Sequence, residues 1–408
     1  MDVNQEILEL SARAKEEGKE YPKKRFFHDK IMSYLPERIF IALVGPRGVG
    51  KTVTLKQILS ETEAALYVSL DTTKPENGIY DFAKEAEGRG IKLLLLDEVH
   101  NYPGFDRELK KIYDVLKINV IFTSSAALAL HELTYDLSRR VRVLPAPPFS
   151  FREFVFFEKG DKPPALSFDN LLDENYAKEY YGKVMHVEYL FERYLEGRNY
   201  PFTLDKTDRL PLFYNILETI INKDLLLTGK VTLEEAIEVR RLMTFIGNSP
   251  VEDMNYTTIA KNLGITRYKT EKYLDLLEKA FVLKRVIPAG TNVLKEPKIL
   301  LGLPYRLLYK NFRDCVGALR EDFFTDSMRY LGFELHYLKS NRGEKMPDYA
   351  VKDVVIEIGG TSKGISQFKG FSTKRKIVLT HPGTIDKIHR PLFFAGLVDS
   401  YEANTTVF

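Results

Sequence analysis

One short segment of the sequence has the residue types and spacing that bind phosphate. Residues 45–52 read G-P-R-G-V-G-K-T, which matches the pattern G-x-x-x-x-G-K-[ST]. The glycines let backbone N–H groups turn inward around a phosphate, the lysine reaches the terminal phosphates, and the threonine hydroxyl can hold Mg²⁺. The predicted nucleotide-binding residues are Gly45, Pro46, Arg47, Gly48, Val49, Gly50, Lys51, Thr52 and Val53.

An acidic pair follows the next apolar segments of the chain. Four leucines at 93–96 precede Asp97 and Glu98. An acid at the carboxyl end of a buried parallel strand faces the ligand crevice, so we expect Asp97 to hold Mg²⁺ together with Thr52. Glu98 is then placed to polarise the attacking water. Alone, such a pair is more typical of a helix cap or a strand end, and the phosphate loop upstream is what favours catalysis.

Two further residues complete the candidate catalytic set. Ser124 directly follows the apolar run 120–123 and resembles the polar sensor position of AAA+ ATPases. Arg140 precedes the next run, where an arginine could meet a γ-phosphate of its own chain or of a neighbouring one. A solvated arginine explains this position equally well.

These residues must be positioned by a regular scaffold. Apolar runs at 39–44, 65–70, 93–96, 120–123 and 141–144 alternate with amphipathic stretches. That alternation predicts an α/β fold in which a parallel sheet lies between helices. The phosphate loop would then join the first strand to a helix, as the motif requires.

The composition limits the remaining classes of protein. A chain of 408 residues with 44% hydrophobic and 29% charged residues is typical of a globular protein with two to four domains. Its single cysteine, Cys315, indicates a reducing compartment, and no apolar run reaches about 18 residues. We therefore expect a cytoplasmic protein without a membrane partner.

At this point the motifs resemble a known family. Residues 39 to about 155 are similar to the ATPase core of a prokaryotic AAA+-type family, whose chains carry G-P-R-x-V-G-K-T, L-D-E, S-S, an arginine and P-x-S-F-R-E-F in this order. The resemblance implies a P-loop NTPase core with a helical lid, a winged-helix unit and an α+β nuclease-like domain. The expected divisions are 1–38 (helical lead-in), 39–150 (core), 151–230 (lid), 231–290 (winged helix) and 291–408 (nuclease-like).

The predicted winged helix is a candidate for DNA binding. Residues 256–287 read as two helices with a turn at Gly264, followed by a β-rich tail. Over 255–290 the chain has seven basic and three acidic residues, an excess of +4. Such an excess suits a phosphate backbone, although the same fold also packs against proteins.

The last predicted domain contains a second set of acids. Glu321, Asp348 and Glu357 match the layout by which a PD-(D/E)xK nuclease binds Mg²⁺. The expected lysine is absent because position 359 is glycine, and Lys363 could act only by reaching back from a loop. A degenerate domain is therefore as consistent with the sequence as a working nuclease. Residues 360–390 carry an excess of +6, which makes them a second candidate DNA surface.

The main hypothesis is an enzyme that binds ATP with Mg²⁺ and hydrolyses it to ADP to drive a conformational change, acting on or near DNA. The alternative is a nucleotide-regulated DNA-binding regulator or nuclease-like effector with negligible turnover. Phosphoryl transfer to a small molecule fits less well, since it leaves the rear half of the chain without a role. An oligomer fits either hypothesis. The net charge of +3 hides both basic segments.

Overall fold

A computed structural model describes residues 3–125, 139–227, 231–290, 296–338, 346–360, 363–364, 368, 371 and 374–399. The chain forms two compact units, Met1–Pro148 and Phe149–Phe408.

The first unit is a five-stranded parallel sheet with helices. Its strands are β1 (Phe40–Val44), β2 (Ala65–Ser69), β3 (Leu93–Asp97), β4 (Asn119–Ser124) and β5 (Val141–Pro145). Its helices are α1 (Val3–Lys19), α2 (Phe27–Tyr34), α3 (Lys51–Glu61), α4 (Ile79–Gly88) and α5 (Phe105–Val115). The strand order is β2-β3-β4-β1-β5, and every pairing is parallel. The predicted α/β class and parallel sheet are thereby confirmed.

The apolar runs explain this sheet. Strands β1 and β3 are buried at every position, whereas the edge strands β2 and β5 are partly exposed. Continuous Val, Ile and Leu runs suit parallel strands that are covered by helices. Because the strands are parallel, the residues that follow β1, β3 and β4 meet at one edge of the sheet, which we call the carboxyl edge.

The second unit combines helices with a seven-stranded mixed sheet. Its helices are α6 (Phe151–Lys159), α7 (Phe168–Leu172), α8 (Glu174–Val184), α9 (Leu190–Arg193), α10 (Leu210–Thr219), α11 (Leu225–Leu227), α12 (Leu233–Asn248), α13 (Tyr256–Leu263), α14 (Arg267–Lys279) and α15 (Phe312–Tyr330). Its strands are β6 (Leu283–Pro288), β7 (Lys298–Leu301), β8 (Leu335–Tyr337), β9 (Tyr349–Val351), β10 (Val354–Gly359), β11 (Arg375–Thr380) and β12 (His389–Pro391). The order is β12-β11-β10-β9-β8-β6-β7.

This sheet contains strands from two segments that the sequence analysis assigned to separate domains, 231–290 and 291–408. Strand β6 pairs with β7 in antiparallel register and also with β8 in parallel register. The expected division at 290–291 therefore separates strands that belong to one sheet. Glu321 also lies in the middle of α15, which begins at Phe312.

Local signals define the helices before β6. A capping box at Thr232 and Glu235 begins α12, and side chains of Asn255 and Thr266 cap α13 and α14. Gly264, with φ of 67°, ends α13 in the left-handed conformation. The predicted pair of helices with a turn at Gly264 is therefore present.

Aromatic side chains form much of the second unit's core. Phe151 makes edge-to-face contacts with Phe191, Tyr194 and Phe393, at ring-centroid distances of 5.4, 5.6 and 5.7 Å. This geometry is favourable because the positive edge of one ring meets the negative face of another. Among the described residues, none of the helices combines the length and apolar composition that crossing a bilayer requires.

Candidate functional site

The phosphate loop connects β1 to α3 at the carboxyl edge. Gly48 and Gly50 have φ of 83° and 91°, values that residues with a Cβ adopt only with strain. Gly45 is needed for another reason, because a Cβ there would lie 1.9 Å from the carbonyl oxygen of Ala146. Chain geometry therefore requires all three glycines. The nine predicted nucleotide-binding residues lie in this loop and the first turn of α3.

The side chain of Lys51 is buried and lies along the loop. Its Nζ donates to the carbonyl oxygens of Gly45 at 2.8 Å and Pro46 at 2.9 Å. The ammonium group is thus held at the start of the loop, where a phosphate would need a positive charge.

Asp97 ends β3 and lies within a group of hydroxyls. Thr123 Oγ1 donates to its Oδ1, Tyr67 OH donates to its Oδ2 at 2.9 Å, and the Thr52 hydroxyl hydrogen-bonds to the same carboxylate. Burial raises the pKa of Asp97 above its ordinary value, although these hydroxyls lower it. The predicted pair Thr52 and Asp97 is therefore brought together.

Glu98 follows in a left-handed conformation with φ of 53°. Its Oε2 accepts hydrogen bonds from Ser125 N at 3.2 Å and Ser125 Oγ at 3.1 Å. Burial raises the pKa of this carboxyl, but the charges of Lys51, His100 and Arg47 outweigh burial and leave the pKa below its ordinary value. Glu98 is therefore a carboxylate at neutral pH.

Ser124 lies at the same edge, in register with Val44 of β1. Its Oγ is 3.4 Å from Nδ1 of His100, and that nitrogen is 3.2 Å from Glu98 Oε2. The structure thus brings together the loop, Asp97, Glu98 and Ser124.

Three residues that hold the acids were missed from the sequence: Tyr67, Thr123 and His100. Tyr67 and Thr123 lie near the ends of β2 and β4, so both reach the carboxyl edge beside Asp97. The strand ends were visible in the sequence and could have identified these two residues. Nothing in the sequence pattern indicated His100.

Arg140 does not join this group. Its backbone carbonyl accepts from Phe40 N at 2.9 Å, where β1 begins, and its guanidinium pairs with Asp114 at 2.8 Å. It therefore lies at the amino end of the parallel strands, whereas the phosphate loop follows their carboxyl ends. The prediction that Arg140 contacts a nucleotide of its own chain is wrong. A residue that directly precedes a parallel strand lies at the amino edge of the sheet, opposite the carboxyl edge where the phosphate loop lies.

The predicted second metal site contains ammonium groups. Lys298 Nζ lies 2.6 Å from Glu321 Oε2, and Tyr349 OH donates to the same oxygen at 2.6 Å. Lys363 Nζ lies 2.5 Å from Glu357 Oε1, so this lysine does reach back to the acid.

The remaining acid of this group, Asp348, is protonated more readily than an ordinary aspartate. Burial and the charges of Glu321 and Glu357 raise its pKa to about 7. Among the described residues, Glu357 Oε2 has no hydrogen-bond donor unless Asp348 carries a proton. A shared proton between the two carboxyls accounts for both observations.

These acids do not fit a metal ion as they are arranged. In the described part of the chain, no three His, Cys, Asp or Glu side chains are grouped as metal ligands. The expected Mg²⁺ site at Glu321, Asp348 and Glu357 is therefore corrected to a cluster of acids in which Glu321 and Glu357 are paired with lysines.

The basic residues of 255–290 are largely paired within the chain. Their partners include Glu235, Glu238 and Glu296, which lie outside that segment. The paired residues are Arg267, Lys269, Lys272, Lys279, Lys284 and Arg285. The excess of +4 is therefore not an excess on the folded surface.

The segment 360–390 behaves similarly. Arg390 is buried and donates to the carbonyl oxygens of Leu171 and Leu172, while Arg375 pairs with Asp353. Lys369 lies outside the described residues. Both candidate DNA surfaces are therefore less positive than their sequences predict.

A glycine-rich loop with a buried lysine, on a parallel sheet with acids at the same edge, defines a P-loop NTPase. A family model described as an AAA domain matches residues 37–155, and a second, a domain of unknown function (DUF8612), matches residues 191–301. The core is thus an ATP-binding NTPase domain of AAA type.

A curated relative extends this similarity beyond the core. The uncharacterized protein MJ1637 of Methanocaldococcus jannaschii is 31% identical over 390 residues, and the match covers 85% of this chain and 82% of that protein. The chain belongs to the same family as this relative.

Solved structures give weaker likenesses. The Walker-type ATPase PABY2304 of Pyrococcus abyssi is 16% identical and covers 68% of this chain and 93% of its own, with a TM-score of 0.35. The S. cerevisiae Hsp104–ADP complex is 15% identical and covers 69% and 41%, with a TM-score of 0.29. At such scores neither likeness bears on function.

Proposed function

We propose that the chain hydrolyses ATP in a Mg²⁺-dependent reaction at the carboxyl edge of the first unit. The observation that carries this proposal is the placement of Glu98 at the carboxyl edge directly after β3, where Ser125 donates two hydrogen bonds to its carboxylate and the charge of Lys51 lowers the pKa of that carboxyl. A carboxylate that stays ionised at neutral pH can accept the proton of an attacking water.

The Mg²⁺ ligands in this proposal are Thr52 and Asp97. Their hydrogen bond supports a shared role, and the burial that raises the pKa of Asp97 favours a cation beside it. Mg²⁺ would neutralise charge that develops on the β- and γ-phosphates. Tyr67 and Thr123 would hold the Asp97 carboxylate in place.

The other loop residues bind and orient the nucleotide. Lys51 would exchange its contacts with the carbonyl oxygens of Gly45 and Pro46 for the terminal phosphates. Ser124 and Ser125 would orient Glu98, partly through His100.

ATP turnover and binding in two variants test this proposal. Lys51→Ala should lose tight ATP binding, whereas Glu98→Gln should bind as the wild type does and turn over about 10²- to 10⁴-fold more slowly. Lys84→Ala and Glu76→Gln, at exposed positions of the same unit, are matched controls. Wild-type turnover in both Lys51→Ala and Glu98→Gln would refute the assignment.

We further propose that hydrolysis alters the second unit. Hydrogen exchange of residues 149–399 should differ between Glu98→Gln with ATP and the wild type with ADP. Identical exchange in the two states would contradict this step.

A second candidate function is nucleotide-regulated binding of DNA. Helices α12, α13 and α14 followed by the antiparallel pair β6 and β7 are typical of a winged helix, and Tyr268 in the first turn of α14 is 77% exposed. Retention of duplex DNA at low salt, lost as salt rises, would support it. No retention at low salt, or equal retention by Tyr268→Ala, would oppose it.

A further inference from the structure

Arg25 is a buried cation that contacts the phosphate loop from outside the motif. It lies between α1 and α2, is 4% exposed, and its guanidinium carbon is 4.7 Å from the centre of the Phe27 ring. Nη1 donates to the carbonyl oxygen of Val49, inside the loop. Nη2 donates to the carbonyl oxygen of Pro147 at 2.8 Å, beyond β5.

The bond to Val49 controls a peptide plane that the nucleotide needs. Val49 lies between the two glycines with positive φ, so few side-chain constraints fix the loop on either side. In a trans peptide the C=O of one residue and the N–H of the next point in opposite directions. Holding the Val49 carbonyl therefore aims the Gly50 N–H to the other side, where the loop's donors surround a phosphate.

The second bond ties the loop to the neighbouring strand end. Pro147 follows Ala146, whose carbonyl oxygen faces Gly45 so closely that no Cβ fits. Arg25 thus bridges the middle of the phosphate loop and the segment that packs against its first residue.

The segment that carries Arg25 is itself fastened to the helix after the loop. Gln57 of α3 donates from Nε2 to the carbonyl oxygens of Tyr21 at 2.6 Å and Lys23 at 3.0 Å. Lys24 pairs with Glu61, at the end of the same helix, at 2.5 Å. Arg25 is therefore held on both sides by elements that are continuous with the nucleotide site.

We propose that Arg25 is a positioning residue of the nucleotide site, which fixes the Val49–Gly50 peptide so that the loop is shaped for phosphate before the nucleotide arrives. The inference rests on nucleotide binding by the loop. It makes residues 21–25, which lie outside the phosphate-binding motif, a part of the site.

ADP affinity measured by calorimetry tests the proposal without the complication of turnover. Arg25→Met removes both donors and keeps an unbranched apolar stem over Phe27. Because two charge-assisted hydrogen bonds no longer hold the loop, Kd for ADP should rise about tenfold to a hundredfold. Arg25→Lys keeps the charge but cannot reproduce the two-nitrogen fork, so its Kd should be intermediate.

Arg38→Met is the matched control. Arg38 also donates to backbone carbonyls, those of Tyr113, Leu116 and Ile118, but it precedes β1 at the opposite edge of the same sheet. Thermal unfolding without nucleotide should fall in both Met variants, whereas only Arg25→Met should lose ADP affinity.

The outcomes separate the inference from the proposed function. If Arg25→Met binds ADP within about twofold of Arg38→Met, Arg25 is structural only and the inference fails. If Arg25→Met does not fold, Arg25→Lys decides, and affinity equal to that of the wild type overturns the proposal. If the wild type binds no ADP, the proposed function itself is wrong, because the loop then does not bind nucleotide.

Discussion

The two units each bury a group of carboxylates next to lysine, and they arrange the charges differently. In the first unit, hydroxyls surround Asp97 and nearby positive charges keep the pKa of Glu98 low. In the second unit, Lys298 and Lys363 already contact Glu321 and Glu357, and the pKa of Asp348 is raised to about 7. Buried acids alone therefore do not define a catalytic site: hydroxyl groups contact Asp97, whereas Glu321 and Glu357 are already in direct ion pairs with lysines.

The same substitution should reduce ATP turnover in the first group and leave it unchanged in the second. Asp97→Asn removes the proposed Mg²⁺ ligand, so ATP turnover should fall at least about a hundredfold and its Mg²⁺ requirement should rise. Asp348→Asn should turn over ATP at the wild-type rate. Mg²⁺ titrations of steady-state hydrolysis measure both. Equal losses of ATP turnover in the two variants would contradict the conclusion that only the first group of acids takes part in hydrolysis.

Removing a lysine tests whether the second group is balanced by it. Lys298→Met leaves the carboxylate of Glu321, which is 12% exposed, without its cation and should lower the free energy of unfolding by about 3 kcal/mol. Lys363 is 40% exposed, so Lys363→Met should lower the free energy of unfolding by less than Lys298→Met does. Urea unfolding of the two variants provides the measurement. The reverse ranking would mean that Lys298 is not the main counter-charge.

The pH dependence of stability tests the shared proton. Because the fold raises the pKa of Asp348 to about 7, the native chain holds a proton that the unfolded chain has released. This contribution favours the fold at low pH and is lost as the pH rises through about 7. Relative to the wild type, Asp348→Asn should therefore gain about 2–3 kcal/mol between pH 5 and pH 8.

Urea unfolding across that range measures this change, with Asp353→Asn as the control. Asp353 pairs with Arg375, which lowers its pKa, so it does not titrate in this window. A pH-independent difference between Asp348→Asn and the wild type would argue against the shared proton.

The smallest effect is expected at Arg140. Its ion pair with Asp114 is partly exposed, at 27% and 44%, so Arg140→Ala should change stability by less than about 1 kcal/mol. In dilute protein, turnover should stay within about twofold of wild type. Contact with a neighbouring chain's nucleotide predicts that turnover rises with protein concentration in the wild type and not in the variant. A large loss of turnover by Arg140→Ala in dilute protein would instead indicate that Arg140 acts on the nucleotide of its own chain.

The sequence predicted those parts of the site that lie close together along the chain. The phosphate loop follows from a local pattern, and Asp97, Glu98 and Ser124 follow from strand ends in a parallel sheet. The prediction for Arg140 was wrong because a residue that precedes a parallel strand lies at the amino edge of the sheet, away from the phosphate loop. Arg25 carried no pattern, since its partners Val49 and Pro147 are brought together only by the fold.

Charge predictions failed for a related reason. A count over 255–290 cannot include Glu235, Glu238 and Glu296, which neutralise its lysines and arginine from outside. Burial has the same effect on Arg390, which contributes to the count over 360–390 and lies inside the fold. The net charge of a segment predicts the charge of its surface only where the segment's charged side chains are exposed and pair with residues of the same segment.

Strand β6 has a consequence for how the second unit comes apart. Because β6 pairs with β7 on one side and with β8 on the other, the strand that directly follows the helices α12 to α14 is hydrogen-bonded to strands from later in the chain. A protease cut between 290 and 296 would break the covalent chain and leave the sheet intact. The two fragments should then remain together during size-exclusion chromatography and separate only in denaturant.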